Sequence, residues 1–151
     1  MKRKIGVIIL IIIIAIQFIR PAHNSSAADP AKQISAVVQV PDSIQQILKV
    51  SCYDCHSNNT RYPWYSNIQP VGWWLANHVN DGKGSVNFDQ FATYDRDDQK
   101  HAMKDIYKSI EKGYMPLKSY LIIHKDALLS EGQKKQLLNW ARSASEELGK
   151  K

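Results

Sequence analysis

Apolar residues recur with the spacing of an α-helix in four stretches of the chain, and no stretch alternates as a long β-strand would. These predicted helices begin near Pro41, Pro70, Asp98 and Ser130. Their apolar stripes are Ile44, Ile47 and Leu48; Val71, Trp74, Leu75, His78 and Val79; Met103, Ile106, Tyr107 and Ile110; and Leu137, Leu138, Ala141, Ala144 and Leu148. The pattern predicts an all-α domain.

Capping residues and glycines set the predicted ends of these helices. Side-chain caps are predicted at three helix starts: Ser43 with Gln46, the acidic run 95–98, and Ser130 with Gln133. The acidic run lacks the glycine and the terminal glutamate of an EF-hand loop, so capping is preferred to calcium binding. Glycines are expected to end the second helix within 81–84 and the third at Gly113.

The N-terminus has a different character, because Lys2, Arg3 and Lys4 precede an apolar run from Ile5 to Ile19. This pattern is typical of a secretory signal or a membrane anchor. The run is short for a spanning helix, which needs about 20 residues, but an uncleaved anchor is favoured. The basic residues ahead of the run predict that the rest of the chain lies outside the cytoplasm, in the periplasm of a bacterium.

Three regions follow from this division: a signal sequence or membrane anchor over 1–23, a linker over 24–40 and one domain over 41–151. The linker is predicted because residues 24–39 are small and polar. Four of the 20 basic residues lie in the first region, at Lys2, Arg3, Lys4 and Arg20, which leaves 16 against 14 acidic residues. The exported part therefore carries little net charge, which argues against nucleic acid as a partner.

The chemistry centres on Cys52-Tyr53-Asp54-Cys55-His56, which contains both cysteines of the chain. The motif is typical of haem c attachment, in which each thiol adds to a porphyrin vinyl group and the histidine becomes the proximal iron ligand. A redox dithiol and half of a zinc site are the alternatives. The chain has no second cysteine pair to complete a zinc site and no preceding strand typical of a dithiol oxidoreductase.

A second iron ligand is predicted from position. Met115 follows the end of the third helix and precedes Pro116, so its thioether is predicted to lie on a loop where iron could bind it. His78 on an apolar stripe and His124 after an apolar stretch are the alternatives. Met103 lies on a core stripe and is expected to pack there.

The order of these features resembles class I c-type cytochromes and, more closely, a bacterial family of exported haem-binding domain proteins. The matching residues are Cys52 to Asn58, Arg61 to Tyr65, Pro70-Val71, Trp74-Leu75, Asn87-Phe88, Met115 to Leu117, Tyr120, His124, Leu129-Ser130 and Trp140. The resemblance implies a small cytochrome c-like helical domain around one covalent haem c, attached to Cys52 and Cys55 with His56 as proximal ligand.

The predicted function is electron transfer by a membrane-tethered haem module that exchanges electrons with redox partner proteins in the periplasm or membrane. It is not expected to be an enzyme, because nothing in the sequence resembles a distal histidine and arginine arranged to activate peroxide. The alternative is a gas or redox sensor, or a haem enzyme, in which the sixth iron ligand is displaceable.

Overall fold

The computed structural model describes residues 1–150, and its regular structure is helical. The helices are α1 (Lys2–Ile16), α2 (Asp42–Ser51), α3 (Tyr53–His56), α4 (Val71–Ser85), α5 (Arg96–Glu111), α6 (Lys118–Leu121) and α7 (Glu131–Leu148). Short 3-10 turns lie at Ile34–Ala36, Trp64–Asn67, Phe91–Thr93 and Lys125–Ala127. Within residues 1–150 the sole β-type pairing is an isolated bridge between Ser25 and Asn59. The prediction of an all-α fold is confirmed.

The hydrophobic core lies between α2, α5 and α7 and continues into the loop that follows α4. Its least exposed members include Leu48 of α2, Met103 of α5 and Leu137 of α7, with Phe91 from the loop. The prediction that Met103 packs in the core is confirmed, because none of its surface is exposed. Amphipathic stripes with helical spacing thus account for this half of the molecule.

Two of the predicted side-chain caps are present. The Asp95 carboxylate accepts a hydrogen bond of 2.8 Å from the Asp98 amide at the start of α5. At the start of α7, the Ser130 hydroxyl and the Gln133 side chain form a reciprocal capping box. Because both caps satisfy amides that have no partner inside the helix, they define where α5 and α7 begin.

The capping box predicted at Ser43 and Gln46 is wrong. A cap at Ser43 would start the helix at Ile44, but α2 begins two residues earlier, at Asp42, and its N-cap is Pro41, which makes no side-chain hydrogen bond to the helix. Ser43 therefore lies inside the first turn, where its hydroxyl cannot take the capping position. Asp42 instead places a negative charge near the positive end of the helix dipole.

The prediction that residues 81–84 end the second helix is also wrong, because α4 continues to Ser85. Gly82 has a different role, because α4 lies close to the cysteine motif at this position. A Cβ atom at position 82 would lie only 2.6 Å from the carbonyl oxygen of Cys55 and 3.0 Å from its Cβ. Gly82 is thus a point of close helix contact rather than a helix breaker.

The division of the chain at residues 23 and 40 stays a prediction, but part of the predicted linker packs within the domain. Ile34 and Val38 are buried in the core, and the Ile34 amide donates to the Phe88 carbonyl at 2.8 Å. Asn24 is also held, because its side chain donates to the Ser57 carbonyl at 2.9 Å and accepts from Lys83. These residues are therefore integral parts of the folded unit.

Helix α1 has no buried residue along its length. Its end is joined to the domain, since the Gln69 amide donates to the Gln17 side chain at 2.9 Å and the Trp73 indole donates to the Ile19 carbonyl at 2.7 Å. Among the helices of residues 1–150, none combines the length and the apolar character needed to cross a membrane.

Two glycines of α4 provide a matched test of the close contact. Gly82→Ala should lower the free energy of unfolding by about 1–3 kcal/mol, because the added methyl must displace the backbone of Cys55. Gly84→Ala, with open space around its Cβ position, should raise it by up to about 1 kcal/mol through higher helix propensity. Urea unfolding followed by circular dichroism measures both, and equal effects of the two substitutions would contradict the proposed packing.

Candidate functional site

The cysteine motif forms a single tight turn between α2 and the rest of the domain. Cys52 closes the end of α2, and the amides of Cys55 and His56 both donate to its carbonyl, at 3.2 and 3.0 Å. Helix α2 thus leads directly into the motif. Both thiols and the imidazole therefore start from one short stretch of backbone.

The motif lines a cavity of about 280 Å³. Its walls come from the motif itself, from α4, and from the segment before and within α6: Ser51, Cys52, Asp54, Cys55, His56, His78, Asp81, Gly82, Ser85, Met115, Pro116, Leu117 and Tyr120. A second cavity of about 280 Å³ shares Cys55, His78, Leu117 and Tyr120 with the first, and its further lining includes Trp64, Val71 and Trp74. Together they reach the size of a typical cofactor site, roughly 300–1,000 Å³.

The His56 ring is oriented by the end of α4. Its Nδ1 lies 3.0 Å from the Val86 carbonyl, and because a carbonyl only accepts, Nδ1 carries the proton. Burial lowers the pKa of His56, although hydrogen bonds to the carbonyls of Val86 and Gly82 oppose the shift. The ring is therefore held neutral with Nε2 available, the form in which imidazole binds a metal.

The two thiols are free and partly buried. Burial, with the neighbouring Cys55 as a smaller cause, raises the pKa of Cys52 to about 12. Burial, with the Asp54 carboxylate as a smaller cause, raises the pKa of Cys55 to about 11. Both thiols are neutral at pH 7, which disfavours the dithiol alternative, since thiol exchange proceeds through the thiolate. Within residues 1–150 no cluster of three or more metal-binding side chains supports the zinc alternative.

Asp54 also lines the cavity, although the sequence pattern did not indicate a role for it. It lies between the two cysteines in the sequence, and its side chain is buried. It accepts hydrogen bonds from the Arg61 amide at 3.1 Å, from the Arg61 guanidinium at 3.2 and 3.3 Å, and from the Tyr120 hydroxyl at 2.7 Å. The charge is thus paired and hydrogen-bonded, as a buried carboxylate requires.

The candidates for a second iron ligand occupy different surroundings. Met115 lies on the loop between α5 and α6, lines the first cavity and is 36% exposed. His78 lines both cavities, and its Nδ1 donates to the Trp74 carbonyl at 2.9 Å, which leaves Nε2 free. His124 lines neither cavity, and its Nε2 is hydrogen-bonded to the Tyr65 hydroxyl at 2.8 Å. Met115 and His78 thus line the same cavity as the motif, whereas His124 stacks on Tyr120 outside both cavities.

Two thiols, a neutral imidazole and apolar walls fit the chemistry of a haem, and these features define a helical haem-binding module. The model of the haem-binding domain family matches residues 11–143 of the 151. The chain belongs to this family of haem-binding domain proteins. No curated protein and no solved structure matches it.

The surroundings of His56 predict how the haem-free chain responds to pH. Because the pKa of His56 is lowered in the folded state, this side chain binds a proton more tightly in the unfolded chain than in the folded one. The free energy of unfolding should therefore fall as the pH decreases below about 6.5. Chain expressed without haem attachment provides the sample, and urea unfolding at several pH values measures the slope. His56→Gln should flatten this slope, whereas a flat slope in the native chain would contradict the burial argument. The control His101→Gln, at an exposed position on α5, should retain the slope.

Proposed function

We propose that this protein is a c-type cytochrome-like electron carrier with one covalent haem c. Cys52 and Cys55 would form the thioether bonds, and His56 would be the proximal iron ligand. Haem iron, when bound, supplies one-electron exchange between the ferrous and ferric states. The observation that carries the proposal is the convergence of both thiols and His56 on one largely apolar cavity.

The chain's own residues would prepare this site in three ways. The Val86 carbonyl holds the His56 ring with Nε2 free, so the ligand nitrogen needs no reorganisation on binding. Gly82 allows α4 to pack directly on the Cys55 backbone. The exposed Trp64 and Trp74 beside the second cavity would be covered when a large apolar group fills the adjoining space.

Electron transfer is favoured over catalysis because a second candidate ligand lies on the cavity wall in addition to His56. Iron held on both sides changes its coordination little between oxidation states, which suits electron transfer. The alternative, a sensor or haem enzyme with a displaceable sixth ligand, is favoured by one observation, the partial exposure of Met115 on a loop. The sixth ligand therefore decides between the two functions.

We place the domain outside the cytoplasm, attached to the membrane by the apolar residues 5–19 or exported with them as a signal. The support is the basic start of the chain, Lys2 to Lys4, and the absence of any buried residue in α1. An apolar helix with no residue buried in its own protein needs another apolar environment. Redox partners would then be proteins of the periplasm or of the membrane.

Covalent attachment is tested on the exported protein by staining a denaturing gel for haem. The native chain should give a haem band, and Cys52→Ala with Cys55→Ala should abolish it because no thioether can form. Protease added to spheroplasts should remove the band, since the domain would face outward. Haem that acid acetone extracts completely would contradict covalent attachment, and a fully protected band would contradict the location.

The sixth ligand is tested by substitution of each candidate. Met115→Ala should convert the low-spin iron to a form that binds carbon monoxide or imidazole, with covalent haem retained, because the loop no longer supplies a thioether. His78→Ala and His124→Ala are the matched controls and should remain low-spin in the absorption spectrum. A Met115→Ala spectrum identical to the native one, together with a high-spin His78→Ala variant, would assign His78 instead.

A further inference from the structure

The segment 114–121, which joins α5 to α6, forms one wall of the first cavity. Its outer side is open to solvent, with Tyr114 64% and Met115 36% exposed. At its start the amides of both residues donate to the Ser109 carbonyl, which fixes where the segment leaves α5. Further along the segment, a side-chain hydrogen bond joins it to the motif.

Tyr120 makes this contact. Its hydroxyl donates to Asp54 Oδ2 at 2.7 Å, and both residues line the cavity. Hydrogen bonds from a neutral donor to a carboxylate are short and among the stronger ones in proteins. The bond therefore links the wall of the cavity to the residue between the two cysteines.

The acceptor is itself held in place. The other Asp54 oxygen accepts from the Arg61 amide and from Arg61 Nε, at 3.1 and 3.2 Å. The side chain of Asp54 is only 9% exposed, whereas that of Arg61 is 60% exposed. Arg61 thus fixes the carboxylate from the solvent side, and Tyr120 meets a preoriented acceptor from the cavity side.

We infer that the Tyr120–Asp54 hydrogen bond is a latch that holds segment 114–121 closed over the cavity. The latch makes Tyr120 and Asp54 positioning residues, because they hold Met115 near the motif and limit the access of external ligands. This inference rests on the proposed haem site, although the closing of the segment is a property of the chain itself.

Tyr120→Phe in the full-length haem protein removes the hydroxyl and keeps the ring, which stacks on His124 with a centroid distance of 4.2 Å. Amide hydrogen exchange in 114–121 should become roughly tenfold faster, since a hydrogen bond to a charged group is lost. Imidazole should bind the iron roughly tenfold more tightly for the same reason. The control is Tyr107→Phe, whose hydroxyl bonds Glu111 and Arg142 on the other side of the domain, and it should change neither quantity.

Unchanged exchange in 114–121 would overturn the latch. Exchange that accelerates equally throughout the chain would also overturn it, because that result indicates a general loss of stability. If exchange accelerates only in 114–121 and the imidazole affinity of the iron is unchanged, the proposal that Tyr120 and Asp54 position Met115 at the iron is overturned. If haem staining shows no attached haem, the proposed function fails, and exchange in the haem-free chain still decides whether Tyr120 holds the segment.

Discussion

The close packing of α4 against the cysteine motif is the constraint on which the site depends. Gly82 brings the helix onto the backbone of Cys55, and one turn later the Val86 carbonyl reaches the His56 ring. One helix therefore determines both the position of the motif and the orientation of its imidazole. The same helix carries His78 to the cavity wall, so a shift of α4 would disturb Cys55, His56 and His78 at once.

Burial explains the chemical state of these groups. In a poorly solvated cavity the neutral forms of thiol and imidazole are favoured, which raises the pKa of both cysteines and lowers that of His56. The Asp54 carboxylate is paired with the Arg61 guanidinium and accepts a hydrogen bond from the Tyr120 hydroxyl. The site thus combines neutral thiols and a neutral imidazole with one paired carboxylate, Asp54, which is hydrogen-bonded to Tyr120 on the neighbouring wall.

Much of the fold could be predicted from local patterns. Helical stripes identified the core helices, and capping chemistry identified the starts of α5 and α7, because these signals act within a few residues. The cysteine motif identified the location of the site for the same reason. Contacts between distant residues were not predictable in this way. The local sequence indicates that Gly82 ends a helix, and only the proximity of Cys55 in the fold shows why a glycine is required there.

The same limit applies to Asn24, Ile34 and Asp54. A polar, proline-containing composition indicated a linker, yet Ile34 packs in the core and Asn24 bonds to the residue after the motif. Asp54 occupies a position of the motif whose identity the attachment chemistry does not prescribe. Its partners lie 7 and 66 residues away, so its role emerges only from the tertiary structure.

The central claim is that Cys52 and Cys55 hold one haem covalently. The most direct measurement is the intact mass of the exported chain after denaturation, followed by the mass of the proteolytic peptide that contains the motif. The account predicts a chain heavier by a single haem, with the whole increment on the peptide of Cys52 to His56. A chain of unmodified mass, or one lighter by two hydrogens because the cysteines have formed a disulfide, would contradict it.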